Sequence, residues 1–271
     1  MKKSNIHLNK WYLDFHGNNG ETAICYAAKL TWHGFTVNYS SFIHKLPGEE
    51  VTTKTHFRKA QLPLKKENVI TWQDDKLNVE GTWEAAAKPI ESRLYDSENG
   101  YLDWHCYQPA SRVDLNLNGR ILKGNGYAEQ LILTAYPWHI PMNHLRWGRF
   151  QTLDDTMVWI EIREKDKTQW LWLNGKNIRN CSIEDHEISS KEENFILKLD
   201  RHGILESEKK IYQVVEKLLK FLPGFNKIMP VKFLMAENHK WLSKGEFKKA
   251  NSEITEGTAI HEWVNFNAQS R

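Results

Sequence analysis

Apolar and polar residues alternate every second position along much of this chain, and each alternating stretch ends at a tight-turn signal. In TAICYAAKLTW, residues 22–32, Thr22, Ile24, Tyr26, Ala28, Leu30 and Trp32 share one face; in FTVNYSSFI, residues 35–43, Phe35, Val37, Tyr39 and Ile43 do. His33-Gly34 between them predicts a hairpin, and Asn118-Gly119, Asp166-Lys167 and Asn174-Gly175 predict three more. FILKLD (195–200) and TAIHEWVNF (258–266) supply later strands. Many short strands joined by tight turns specify an antiparallel sandwich or barrel rather than alternating strand and helix units. One segment departs from the period. In SEKKIYQVVEKLLKFLPG (207–224) Ile211, Val214, Val215, Leu218, Leu219 and Leu222 fall at helical spacing, Ser207 is placed to cap the start and Pro223-Gly224 to end it. The expectation is an all-β chain with one amphipathic helix in its second half.

Two strands far apart share a cadence. LKGNGYAEQL (122–131) and TEGTAIHEWV (255–264) align as Gly124 with Gly257, Tyr127 with Ile260 and Glu129 with Glu262. PWHIPMNHL (137–145) holds two prolines, which are unwelcome inside a sheet, and RWGRF then opens a new series of strands. The reading is therefore a first β unit over 1–136, a linker over 137–145 and a second unit over 146–271. Each unit opens at a tryptophan, Trp11 or Trp147, and closes near a G-x-x-[YI]-x-E strand, as diverged copies would.

Charge and motifs narrow the function. With 37 Lys and Arg against 34 Asp and Glu the net charge is +3, too small an excess for a phosphate-binding surface, so nucleic acid is not an expected partner. No apolar run is long enough to span a bilayer, and MKKSNIHLNKWYLDF lacks an apolar h-region, which points to a cytoplasmic protein without an integral membrane segment. Cys25, Cys106 and Cys181 are odd in number and far apart, which argues against a disulfide framework, and His33, His105 and His261 stand alone, away from metal-ligand spacings. GNG at 124–126 is followed by Glu129 where a dinucleotide fingerprint needs its third glycine, and neither a P-loop nor a G-x-S-x-G elbow occurs. No metal and no cofactor is expected. The 12 Trp, 9 Tyr and 11 Phe fill cores, and they also suit a pocket for a hydrophobic small molecule of terpenoid, polyene or lipid-like character.

The order of WYLDF, LDWHCYQP, GNGYAE, PWHIP, LRWGRF and IHEWVNF resembles the superfamily of hydroxyneurosporene synthase (a carotenoid hydratase), AttH, tocopherol cyclase and the fungal Diels–Alderases. That resemblance covers nearly the whole chain and implies two tandem lipocalin-like antiparallel barrels. The hydratase branch carries a strand of the form G-x-G-Y-H-D-H-x-W-G; here Gly124, Gly126 and Tyr127 are kept, and Ala128, Glu129 and Gln130 stand where that branch has His, Asp and His.

Tyr127, Glu129, Leu131 and Leu133 share a strand face, as do Ile260, Glu262, Val264 and Phe266, so each carboxyl group lies on a largely apolar side. A carboxylate there needs a partner or a raised pKa. Glu129 and Tyr127 are thus candidate proton-handling residues for a cofactor-free isomerisation, cyclisation or hydration, and the competing reading makes Glu129 a salt bridge to Arg146 or Arg149. His139, in the linker, is a third catalytic candidate. Trp138, Trp147, Arg149 and Glu262 are candidate ligand-binding residues, Arg149 because alternation sets it on the face of Trp147. A lipophilic carrier without chemistry, and a protein whose barrels are filled by side chains, are the alternatives to an enzyme.

Overall fold

A computed structural model describes residues 5–57, 60–210, 222, 224–250 and 252–267. The helix expected over 207–222 lies mostly outside them. Ten strands precede residue 134: β1 (Ile6–Gly17), β2 (Thr22–Trp32), β3 (Phe35–Lys45), β4 (Thr52–His56), β5 (Leu64–Lys66), β6 (Val69–Asp74), β7 (Val79–Ala85), β8 (Ile90–Ser97), β9 (Gly100–Leu117) and β10 (Arg120–Leu133). Ten follow: β11 (His144–Gln151), β12 (Thr156–Arg163), β13 (Lys167–Leu173), β14 (Lys176–Asn177), β15 (Ser182–Ile183), β16 (Glu187–Ser190), β17 (Phe195–Leu199), β18 (Gly203–Lys210), β19 (Glu237–Lys249) and β20 (Thr255–Asn265). A single helical turn, Val231–Leu234, precedes β19.

The two sets have one topology. The first sheet runs β4-β3-β2-β1-β10-β9-β7-β6-β5 with β8 paired to β9, and the second runs β14-β13-β12-β11-β20-β19-β17-β16-β15 with β18 paired to β19. Every ladder is antiparallel, and the first strand of each set pairs with its last, as curling into a lipocalin-like barrel requires. Two compact units result, the first sheet with Leu222, Gly224 and Phe225 in one and the second sheet in the other. His33-Gly34, Asn118-Gly119 and Asn174-Gly175 each have two consecutive residues at positive φ, the turn geometry that matches strand twist. The hairpin expected at Asp166-Lys167 instead bends over 164–166, and β13 begins at Lys167.

Register makes the duplication explicit. A Cβ on Gly124 would meet the His16 carbonyl oxygen and the Phe15 ring; one on Gly257 would meet the Gln151 carbonyl oxygen and the Phe150 ring. Tyr12 faces Glu129 across the first closing ladder and Trp147 faces Glu262 across the second; likewise Asp14 faces Tyr127 and Arg149 faces Ile260. The two glutamates are therefore positional equivalents. The two tryptophans are not: Trp11 matches Arg146, and Trp147 stands in the place of Tyr12, on the opposite face.

Each barrel holds an apolar core. In the first, Trp11, Leu13 and Phe15 pack with Cys25, Phe42, Trp72, Trp83 and Leu115, and the indole Nε1 atoms of Trp83 and Trp72 donate to the carbonyls of Asp14 (2.7 Å) and Gln61 (2.9 Å). His56 on β4 closes toward β6 through both oxygens of Asp74 at 2.9 Å. In the second, Phe150, Met157, Trp159, Leu171, Phe195, Leu197 and Phe247 form the core. The alternation in residues 22–32 predicts one buried face, yet β2 is buried on both: Ala23, Cys25 and Ala27 point into the barrel, while Ile24 and Tyr26 are buried on the outer side. Small residues inside and large ones outside are the reason the period misleads.

No helix among the described residues is long and apolar enough to cross a membrane, and no cluster of His, Cys, Asp and Glu there has the geometry to hold a metal ion. Two predictions follow from packing and burial. A Cβ at Gly126 would meet the Asp14 carbonyl oxygen and, at 2.6 Å, Val113 Cγ2, so Gly126→Ala should lower stability by about 1–3 kcal/mol in urea unfolding. His261 is buried, and burial, then the positive Arg201 and His186, pull its pKa down to about 3. The unfolded chain thus binds more protons than the folded one below the usual histidine value of about 6.5, and stability falls as pH drops from there toward 3. His261→Gln should flatten that part of the stability profile, by up to about 1.4 kcal/mol for each pH unit.

Candidate active site

Tyr127 and Glu129 lie on the outer face of the first sheet, opposite the barrel core that receives Ala128. The same face carries Tyr12 and Asp14 from β1, Tyr26 from β2, and Trp104 and Cys106 from β9, and all five of these neighbours are buried. A register shift in the β9–β10 ladder between Gly126 and Glu129, beside Pro109, brings Cys106 directly across from Glu129. The glutamate itself is half-buried, where Asp14 on the same face is fully buried.

Its contacts define the chemistry. Trp104 Nε1 donates to Glu129 Oε2 at 2.5 Å and the Tyr127 hydroxyl donates to the same oxygen at 2.6 Å. Tyr12 OH donates to Asp14 Oδ2 at 3.1 Å and makes edge contacts with the rings of Tyr26 (5.4 Å) and Tyr127 (5.9 Å). Burial, with Cys106 and Glu129 beside it, pushes the Tyr127 hydroxyl well above the usual phenol range, so at neutral pH it is a hydrogen-bond donor and not a base. Burial likewise raises the Cys106 thiol well above its ordinary value, against the hydrogen bond it shares with Tyr127, and removes it as a nucleophile.

The equivalent position in the second repeat is built otherwise. Lys240, 1% exposed, stands across β19 from Glu262, where Cys106 stands across from Glu129, and its Nζ lies 2.7 Å from Glu262 and 3.6 Å from Glu206. Trp147 pairs with Glu262 across β11 and β20, and Arg149, 1% exposed, adjoins it on the same face with Nη1 3.4 Å from the Thr258 carbonyl. Arg146 points to the other face and is held by Glu161 (2.5 Å) and Asp185 (2.8 Å).

His139 ends a 3-10 turn, Pro137–His139, in a different cluster. It touches the rings of Tyr136 and Trp138, its carbonyl accepts from Tyr95, and Trp138 packs on Tyr136 and Phe225. The structure thus joins Tyr127 with Glu129, joins Trp147 with Glu262, and seats Trp138 and His139 with Tyr136 and Phe225. Residues that sequence reasoning did not single out are Trp104, Cys106, Tyr12, Asp14 and Lys240. The alternation of Leu102, Trp104 and Cys106 in LDWHCYQP was the available signal for two of them.

No protein-family model and no curated protein sequence matches the chain. Solved structures do. CghA with Sch210972 superposes with a TM-score of 0.57 at 10% identity, covering 97% of this chain and 89% of that one. An AttH-like protein from Nitrosomonas europaea gives 0.55 at 9% identity over 98% and 93%. Kievitone hydratase from Nectria haematococca gives 0.52 at 11% identity over 97% and 89%. The chain has the two-barrel, lipocalin-like fold of these three proteins.

Proposed function

We propose that this chain binds a lipophilic small molecule against the outer, tyrosine-rich face of its first barrel and moves a proton on it through Glu129, without a cofactor. The observation that carries the reading is the setting of Glu129, a half-buried carboxyl group against a wall of buried rings, with one oxygen fixed by Trp104 Nε1 and Tyr127 OH. A carboxyl group oriented in this way can pass a proton to and from a molecule bound beside it. Buried Tyr12, Tyr26 and Trp104 form the apolar wall behind Glu129, and Glu129 and Leu131, which keep part of their surface open on that face, are what a terpenoid, polyene or other lipid-like substrate would meet.

The reaction that fits is addition to, or rearrangement of, a carbon–carbon double bond. Protonated Glu129 gives its proton to one alkene carbon; in a hydration, water bonds to the adjacent carbon and returns a proton to the carboxylate. In an isomerisation the same carboxylate takes a proton from a neighbouring carbon instead. Tyr127 and Trp104 hold the carboxyl through both halves of the cycle. Kievitone hydratase is named for a hydration and has this fold, which supports the first of these two outcomes.

The ligand is identified by mass spectrometry of small molecules that co-purify with the native protein, and Glu129→Gln then tests the role. The amide keeps an oxygen for Trp104 and Tyr127 and loses the proton, so ligand binding and the unfolding midpoint should hold while turnover falls by about 100-fold or more. A loss of about 3–5 kcal/mol in that variant would make Glu129 a strut for a buried cation, and the catalytic role would be withdrawn. Glu262→Gln serves as the contrast: it deprives buried Lys240 of its nearest anion and should lose stability on that scale.

A further inference from the structure

The open end of the second barrel carries a row of rings that play no part in the function above. His144 stacks on Trp263 with centroids 5.9 Å apart and planes at 8°, Trp263 on His239 at 5.6 Å, and His239 on Trp241 at 5.8 Å and 11°. The Arg201 guanidinium closes the row, 4.1 Å from the centre of the Trp241 ring. All five side chains face the barrel interior or its mouth, and each keeps part of its surface open. Beneath them lies a floor made by Trp159 and neutral His261, whose rings sit 6.3 Å apart. Gly148 permits that floor: any Cβ there would strike the Trp159 indole and His261 Cβ.

Around the row the polar groups are incompletely used. Arg146, Arg163, Lys167 and Arg201 face Glu161, Asp185 and Glu184, four cations to three carboxylates. Nδ1 of His144, Nε of Arg163 and Nε of Arg201 are buried without a hydrogen-bond partner, an arrangement native interiors avoid. The guanidinium ends remain reachable, with the Arg163 and Arg201 side chains 35% and 19% exposed. The first barrel stacks His105 on Tyr107 in the places of His239 and Trp241 and likewise leaves His105 Nδ1 buried without a hydrogen bond, but it carries amides further along. Asn9 and Gln130 occupy the places of His144 and Trp263, and Tyr107 OH donates to Gln130, which donates to Asn9. In the second barrel rings replace those two amides and lengthen the row.

We propose that the mouth of the second barrel is a binding site for a planar aromatic carboxylate, its ring lying on the Trp241–His239–Trp263 row and its carboxylate meeting Arg201 at the Trp241 end of that row. The stacked row offers π faces, the uncompensated cation selects an anion, and a guanidinium fork matches a carboxylate in particular. The site is built from residues of the second unit alone, and the proposal does not depend on the reading given for Glu129.

The probe is 2-naphthoate, titrated into the intact chain labelled with 15N at its tryptophan indoles and followed by NMR. The expected result is saturable shifts of the Trp241 and Trp263 indole signals, identified by their loss in Trp241→Leu and Trp263→Leu, with the Trp83 and Trp104 signals unmoved. 2-Naphthylmethanol, which lacks the charge, and cyclohexanecarboxylate, which lacks the ring, should each bind at least about tenfold more weakly, and Arg201→Gln should weaken 2-naphthoate by about tenfold. Glu129→Gln should leave the 2-naphthoate titration unchanged. Absence of a saturable shift at millimolar 2-naphthoate, equal binding of the neutral alcohol, or shifts confined to Trp104 would each overturn the proposal. The wild-type titration with the two control ligands decides the matter even if a variant fails to fold.

Discussion

Everything in each unit hangs on one ladder, the antiparallel pairing of its first strand with its last. That pairing turns an open meander into a barrel and removes the sheet edge where the two strands meet. It also sets faces: once Tyr12 stands opposite Glu129, and Trp147 opposite Glu262, every side chain on four strands is assigned inward or outward. Gly124 and Gly257 guard the far end of the two ladders, each against a carbonyl oxygen and a phenylalanine ring of its first strand. A side chain at either place would push the strands apart where closure begins.

Equal positions then let the two repeats be compared residue by residue. Asp14 and Arg149 are equivalent, both buried and opposite in charge; Cys106 and Lys240 are equivalent, one neutral and one a cation; a phenol at Tyr127 is matched by the aliphatic Ile260. The strand pairing is held constant while the charge changes at two of the outward positions beside the glutamates. This is how one architecture places an indole and a phenol beside the glutamate of its first half and an ammonium beside the glutamate of its second.

Much of this was legible in the sequence because strand period and turn chemistry are local. Residues 22–32 form the strand that alternation marks out, and Asn118-Gly119 and Asn174-Gly175 turn where they should. What local pattern cannot reveal is which side of a strand faces the barrel when both sides are buried. In β2 the small residues Ala23, Cys25 and Ala27 take the inside, against the usual weighting of apolar bulk toward a core. For the same reason Trp11 and Trp147 look equivalent in sequence and are one position out of step in space. Partners set by register were equally hidden, since Lys240 and Cys106 become neighbours of the glutamates only after β9 and β19 are aligned on the closing strands.

The closing ladders also bear on how the chain reaches its fold. Leu8 pairs with Leu133 and His144 with Asn265, so each barrel joins residues separated by almost the full length of its repeat. Loop entropy must be spent before such a contact returns anything, which puts closure late on the folding path and makes it slow beside hairpin formation. The hairpins at His33-Gly34 and Asn118-Gly119 zip first, and the last strand arrives as the lock. Because the first ladder is complete at residue 133, the first barrel can lock while the second is still being synthesised. Two long-range closures, each confined to its own half of the chain, keep β1 from competing for β20 and β11 for β10, a topological safeguard for a sequence that carries nearly the same strand pattern twice.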